Sequence, residues 1–106
     1  MSFSNPIPVR LKEARKKAKL SQKALGVRIG MDESSASPRM NQYEKGRHTP
    51  DISTLKKIAD ELGVPLNYFF CEDDLSAELA IAIKKLSKEH KEMLLASLKS
   101  QQAEND

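Results

Sequence analysis

Between Asp51 and Gly63 the residues Ile52, Leu55, Ala59 and Leu62 recur at 3-4-3 spacing, and Ile58 falls on the same stripe. That is the period of a helix with one apolar face. Asp51 can accept from an orphan amide at its start, and Gly63 suits the left-handed residue that closes it. A helix of three turns cannot bury its stripe alone, so it must pack on other helices. No segment shows the alternation of a strand, and the fold class expected is all-α. At 106 residues the chain has room for one small core with a modest appendage.

The remaining segments read as further helices. Residues 1–6 end at a proline and form a frayed lead-in. A first helix runs from Pro8 to Lys19, with Leu11, Ala14 and Ala18 on one stripe and Arg10, Lys12, Arg15, Lys16, Lys17 and Lys19 over the rest. Ser21 caps a second helix from Gln22 to Ile29, packed through Leu25 and Ile29 and closed by Gly30. Residues 31–36 are polar and aperiodic. Ser37 and Pro38 then read as N-cap and first helical residue of a third helix, Pro38 to Lys45, closed by Gly46. A start at Asp32 would put Pro38 in the helix interior at about 3 kcal/mol, which argues for the later start. After the loop Arg47 to Pro50 and the helix from Asp51 comes a short fifth helix within Val64 to Phe70, which plugs the core. Asp73 and Asp74 lead into a helix from Leu75 to Leu86, Ser87 caps another from Lys88 to Ser100, and Gln101 to Asp106 are expected to be disordered.

Charge divides along the same line. Residues 1–70 carry 13 Lys and Arg against 7 Asp and Glu, and residues 71–106 carry 5 against 8. A basic first part suits a polyanionic partner, although solvated helix faces give the same balance, so motifs must decide.

Chemistry-bearing motifs point away from catalysis. The chain has no glycine-rich phosphate loop, no cysteine pair and no H-E-x-x-H, and its two histidines, His48 and His90, lie in different segments. The expectation is no enzyme, no metal, no cofactor and no small-molecule ligand. Glu72, Asp73 and Asp74 serve as helix-dipole partners, and Cys71 as a small core residue. The longest apolar run, Leu79 to Ile83, is far short of the roughly 20 residues that span a bilayer. The opening MSFSNPIP has no signal-peptide pattern, and one cysteine cannot form an internal disulfide, so a cytoplasmic location is expected.

On the third helix, at 100° per residue, Met40, Tyr43 and Glu44 fall on one side and Pro38, Asn41, Gln42 and Lys45 on the other. The outer set offers two amides and a cation, the groups that bond adenine at N6 and N7 or guanine at O6 and N7. Arg39 stands at the flank, within reach of a base or a phosphate. Gln22, at the start of the second helix where free amides face an anion, is a candidate phosphate ligand.

Leu20-Ser21-Gln22, Leu25 to Gly30, Met40 to Gly46 and Pro50 through Phe69 together resemble the helix-turn-helix domain of the lambda-repressor and Cro class, also called Xre-like. The resemblance covers residues 7–70 and implies a five-helix DNA-binding domain with 71–106 as a C-terminal helical extension. It implies that Ser37, Arg39, Asn41, Gln42 and Lys45 read bases from the helix Pro38 to Lys45, with Gln22, Lys23 and Arg47 on phosphates. It also implies a semi-buried ion pair of Arg15 and Glu44 behind the reading helix, and a close approach at Gly26. The chain departs from the class in one place, with about four residues more between Gly30 and Gly46. These are assigned to the turn, and Asp32 and Glu33 receive no role.

One reading helix covers few base pairs, and a dimer doubles that coverage on a palindrome with half-sites about 34 Å apart. Leu79, Ile83, Leu86, Met93, Leu94 and Leu98 are assigned to dimerisation, against the alternative that they pack on their own domain. The function expected is a homodimeric transcriptional repressor binding a palindromic operator in double-stranded DNA. An antitoxin or restriction-modification controller of the same fold, and an interaction adaptor that does not bind DNA, are the alternatives.

Overall fold

The computed structural model describes residues 4–105, and Met1 to Phe3 of the expected lead-in lie outside them. Six α-helices follow one another: α1 Ile7–Lys17, α2 Gln22–Arg28, α3 Glu33–Glu44, α4 Ile52–Leu62, α5 Asp74–Lys84 and α6 Lys88–Asn105, with a 3-10 helix at Leu66–Phe70 between α4 and α5. No strand occurs among the described residues. The fold is the all-α, five-helix unit with a C-terminal helical extension.

Local chemistry accounts for most boundaries. Ser21 Oγ accepts from the Ala24 amide, Asp51 from Thr54 and Asp73 from Ser76, so α2, α4 and α5 each start on a side-chain cap. Gly63 takes φ +70 at the end of α4, a conformation a Cβ would strain. Leu11, Leu25, Met40, Leu55, Ile58 and Phe69, all fully buried, form the centre of the core, and Tyr68 packs edge-on against Phe69.

The start of α3 corrects the sequence-based expectation. The helix begins at Glu33, and Pro38 lies inside it. Asp32 is the N-cap residue, and its carbonyl accepts from the amides of Ser35 and Ala36 at 3.0 and 2.9 Å. Ser37 therefore caps nothing. The turn is tight, because the additional residues lengthen the helix instead: Met31 N donates to Gly26 O at 2.9 Å and closes it. Pro38 removes the donor for the Ser34 carbonyl, but both residues are exposed, so water can take its place. On the inner side Ala36 is fully buried against Gly26. The early start gains that contact and the hydrogen bonds of the first turns, which together outweigh the proline.

The extension also departs from expectation. Gln101 to Asn105 continue α6 rather than fray, and Asp106 lies outside the described residues. Ala77 and Ala80 of α5 are buried, with Ile81 packed on the core, so one face of this helix belongs to its own domain. Arg10, grouped by sequence with the solvated cations of α1, is 3% exposed. Its Nε donates to the Cys71 carbonyl at 2.9 Å and its Nη1 to Asp74 at 2.9 Å and Glu13 at 3.3 Å, tying α1 to the start of α5. Burial opposes its charge, but Asp74 and Glu13 more than offset this and hold the guanidinium above its ordinary value. No residue of α6 is buried. The radius of gyration, 16.2 Å, exceeds the roughly 13 Å of a compact domain this long, as a projecting 18-residue helix requires.

Candidate nucleic-acid interface

The α2-turn-α3 unit is locked from behind. Arg15 of α1 grips Glu44 with two parallel bonds, Nε to Oε2 at 2.6 Å and Nη2 to Oε1 at 3.0 Å, and its Nη1 donates to the Leu20 carbonyl at 2.8 Å. The side chains are 11% and 2% exposed. Planar forks of this kind fix orientation as well as distance. Glu44 also accepts from Gln22 Nε2 at 3.2 Å, so one carboxylate joins α1, α2 and α3.

Gln22 is the latch on the side of α3. Its Nε2 donates to Asn41 Oδ1 at 3.2 Å, and its Oε1 accepts from the Ser37 hydroxyl at 3.4 Å. The side chain assigned to phosphate is thus turned onto α3. Two assigned base readers, Ser37 and Asn41, share its bonds, and Ser37 stands at the edge of the outer face.

Ser37 is not part of the crest. With Ala36, Met40 and Tyr43 inward, the 100° period puts Ser34, Pro38 and Lys45 outward, flanked by Gln42 on one side and Asn41 on the other. Ser34, Pro38 and Lys45 are exposed and Gln42 is half-buried. The amide of Gln42 and the ammonium of Lys45 have no protein partner among the described residues. Arg39 lies at the flank facing α4, its Nη2 3.5 Å from the Tyr43 hydroxyl.

The chain belongs to the helix-turn-helix family HTH_3, which matches residues 11–69. Among solved structures it is similar to the crystal structure of transcriptional regulator BswR, at 45% identity and a TM-score of 0.82, over 89% of this chain and 93% of that one. No curated protein matches it. As a helix-turn-helix protein it is a DNA-binding transcriptional regulator and not an enzyme. No helix among the described residues is long and apolar enough to cross a membrane.

The cations around the helix-turn-helix unit differ in availability. Lys23 Nζ lies 2.9 Å from Glu33 Oε1, whose carboxyl is held below its usual range by the Lys23 hydrogen bond. This exposed, helix-start carboxylate pairs with Lys23. Arg47 and His48 are exposed on the loop after α3, and their amides donate to the Gln42 carbonyl at 3.0 and 3.4 Å. On the other flank Gly30, Met31, Arg39, Thr54 and Lys57 line a hollow of about 170 Å³, where two cations and a hydroxyl converge. That hollow and the exposed Ser34 on the extended first turns of α3 are not foreseen from the sequence, although Ala36, Met40 and Tyr43 continue one helical stripe back to Asp32.

Proposed function

We propose that the protein is a sequence-specific transcriptional repressor that binds a palindromic operator as a homodimer, each copy placing α3 in the major groove. The carrying observation is the outer face of α3, whose Gln42 amide and Lys45 ammonium project without protein partners from a helix held by Arg15 and Glu44. Gln42 and Lys45 bond base edges, while Ser37, Arg39 and Asn41 act at the margins of the groove. Arg47 takes a phosphate, and Lys23 does so once it leaves Glu33. The side-chain role of Gln22 is positional, leaving its helix-start amide for the backbone.

Dimerisation runs through the outer face of the extension. Leu79 and Ile83 are 53% and 39% exposed on the side of α5 away from Ala77 and Ala80, in line with exposed Leu75. Met93, Leu95 and Leu98 are exposed on α6, with Leu86 and Leu94 half-buried. An apolar strip on a helix whose other face is already packed needs a partner, and a second copy supplies an identical strip.

Selection from random duplexes tests the reading. Recovery of an inverted repeat with half-sites about 34 Å apart, and affinity that falls by about 10³ or more between 50 and 200 mM salt, is expected. Recovery of single, unpaired sites would refute the dimeric palindrome, and no enrichment would refute sequence-specific reading.

A further inference from the structure

Pro38 occupies a position where a proline does nothing for the fold. It is the sixth residue of α3, with its ring exposed. Proline is the costliest residue in a helix interior, since it lacks the amide for the preceding turn. Burial does not recover that cost. Ser34, Pro38 and Lys45 fall within about 40° of arc, with Gln42 about 40° beyond, and the buried Ala36 and Met40 lie opposite. An apolar ring thus stands at the crest of a face that is otherwise polar.

We propose that Pro38 is a specificity-determining residue whose ring packs on the C5-methyl group of a thymine in the major groove. The proposal deepens the reading of α3 as the groove-entering helix and rests on it. Thymine alone offers the major groove an apolar group, and the proline ring carries no donor or acceptor that another base could use. Against cytosine, the ring would leave the N4 amine without a partner, so the contact selects thymine. A ring fixed to the backbone also gives up no rotamer freedom on docking. Gln42, one turn further along, supplies the hydrogen bonds that place the neighbouring pair.

The test uses the full-length protein and the duplex recovered by selection. Each thymine is replaced singly by deoxyuracil, which keeps every hydrogen-bonding edge and removes only the methyl group. The expected result is one position in each half-site at which the wild type weakens about fourfold, the value of one methyl group taken out of water. Pro38→Ser regains the backbone amide and folds, as circular dichroism will show, and it should bind the thymine and deoxyuracil duplexes alike at both of these positions. Wild-type binding indifferent to deoxyuracil everywhere, or sensitivity unchanged in Pro38→Ser, overturns the inference while leaving α3 as reader. Failure to enrich any duplex overturns the reading of α3 and this contact with it.

Discussion

A Cβ built on Gly26 would stand 2.6 Å from the Cβ of Ala36 and 3.0 Å from its Cα. Such contacts do not occur in packed proteins, so α2 and α3 meet here only because Gly26 has no side chain. Gly26→Ala would gain up to about 1 kcal/mol of helix propensity, but forcing the helices apart costs typically 1–3 kcal/mol. Net destabilisation in urea unfolding is expected. Ala36→Gly in the same chain should relieve the clash and restore part of the loss. Additive effects of the two substitutions would show that the helices do not touch there.

Glu44 anchors three helices through one nearly buried carboxylate. Removing one partner of such a pair costs about 3–5 kcal/mol, because the other charge is left buried, whereas an apolar pair of similar volume is often neutral. Glu44→Leu should therefore destabilise strongly, and Arg15→Met with Glu44→Leu much less than the two singles combined. A double-mutant cycle by denaturant unfolding measures this, and a coupling near zero would deny the pair its architectural role.

Base readers and phosphate ligands should separate in binding assays. Gln42→Ala is expected to cost about 1–3 kcal/mol on the preferred duplex and to relax discrimination at one position, while Arg47→Ala weakens all sequences and reduces the salt slope by about one unit. Glu33→Gln frees Lys23 from its 2.9 Å pairing. It should strengthen binding to every duplex and steepen the salt dependence. Weaker binding by Glu33→Gln would show that Glu33 positions Lys23 and does not restrain it.

The caps of α4 and α5 set a pH dependence. Hydrogen bonds from the backbone of Thr54 hold the Asp51 carboxyl below its ordinary 3.8, and those from Ser76 do the same for Asp73. Both groups bind their proton less readily folded than unfolded, so their stabilisation is complete above the ordinary value and is lost as pH falls through the lower folded one. The Tm of the wild type should therefore decline below about pH 4. Asp51→Asn with Asp73→Asn, which keeps capping oxygens but not the charge, should show a shallower decline by circular dichroism. An identical pH profile in wild type and variant would assign the acid sensitivity to other carboxylates.

The parts of this fold legible in the sequence were those set by local chemistry. Ser21, Asp51 and Gly63 mark helix ends by what a single residue can bond or which φ it can hold, and the stripe from Ile52 to Leu62 declares its own period, even though Ile52 itself remains 60% exposed. Pro38 was misread because its local cost is real and its compensation is tertiary. Nothing adjacent to Ala36 reveals that Gly26 will lie against it. Arg10 was misplaced for the same reason, since its partners Cys71 and Asp74 lie 61 and 64 residues away. At the candidate interface, residue types pointed to α3, but which side chains are already bonded to one another, as Gln22 is to Ser37 and Asn41, depends on the crossing of α2 and α3.

The proposed dimer is best tested on the surface of α5. Cutting the chain after Phe70 would remove Asp74 and Ala77, stripping Arg10 of a partner and uncovering the core, so a failure to fold would say nothing about association. Leu79→Glu with Ile83→Glu changes only exposed positions on the face away from the domain. Sedimentation equilibrium should find a folded monomer with unchanged helicity. Its affinity for an inverted repeat should fall to that for an isolated half-site, since two linked reading helices gain from effective concentration and a monomer does not. A dimer that survives both charges would transfer the interface to the outer residues of α6, Met93 and Leu98, where the same pair of measurements on Leu98→Glu decides it.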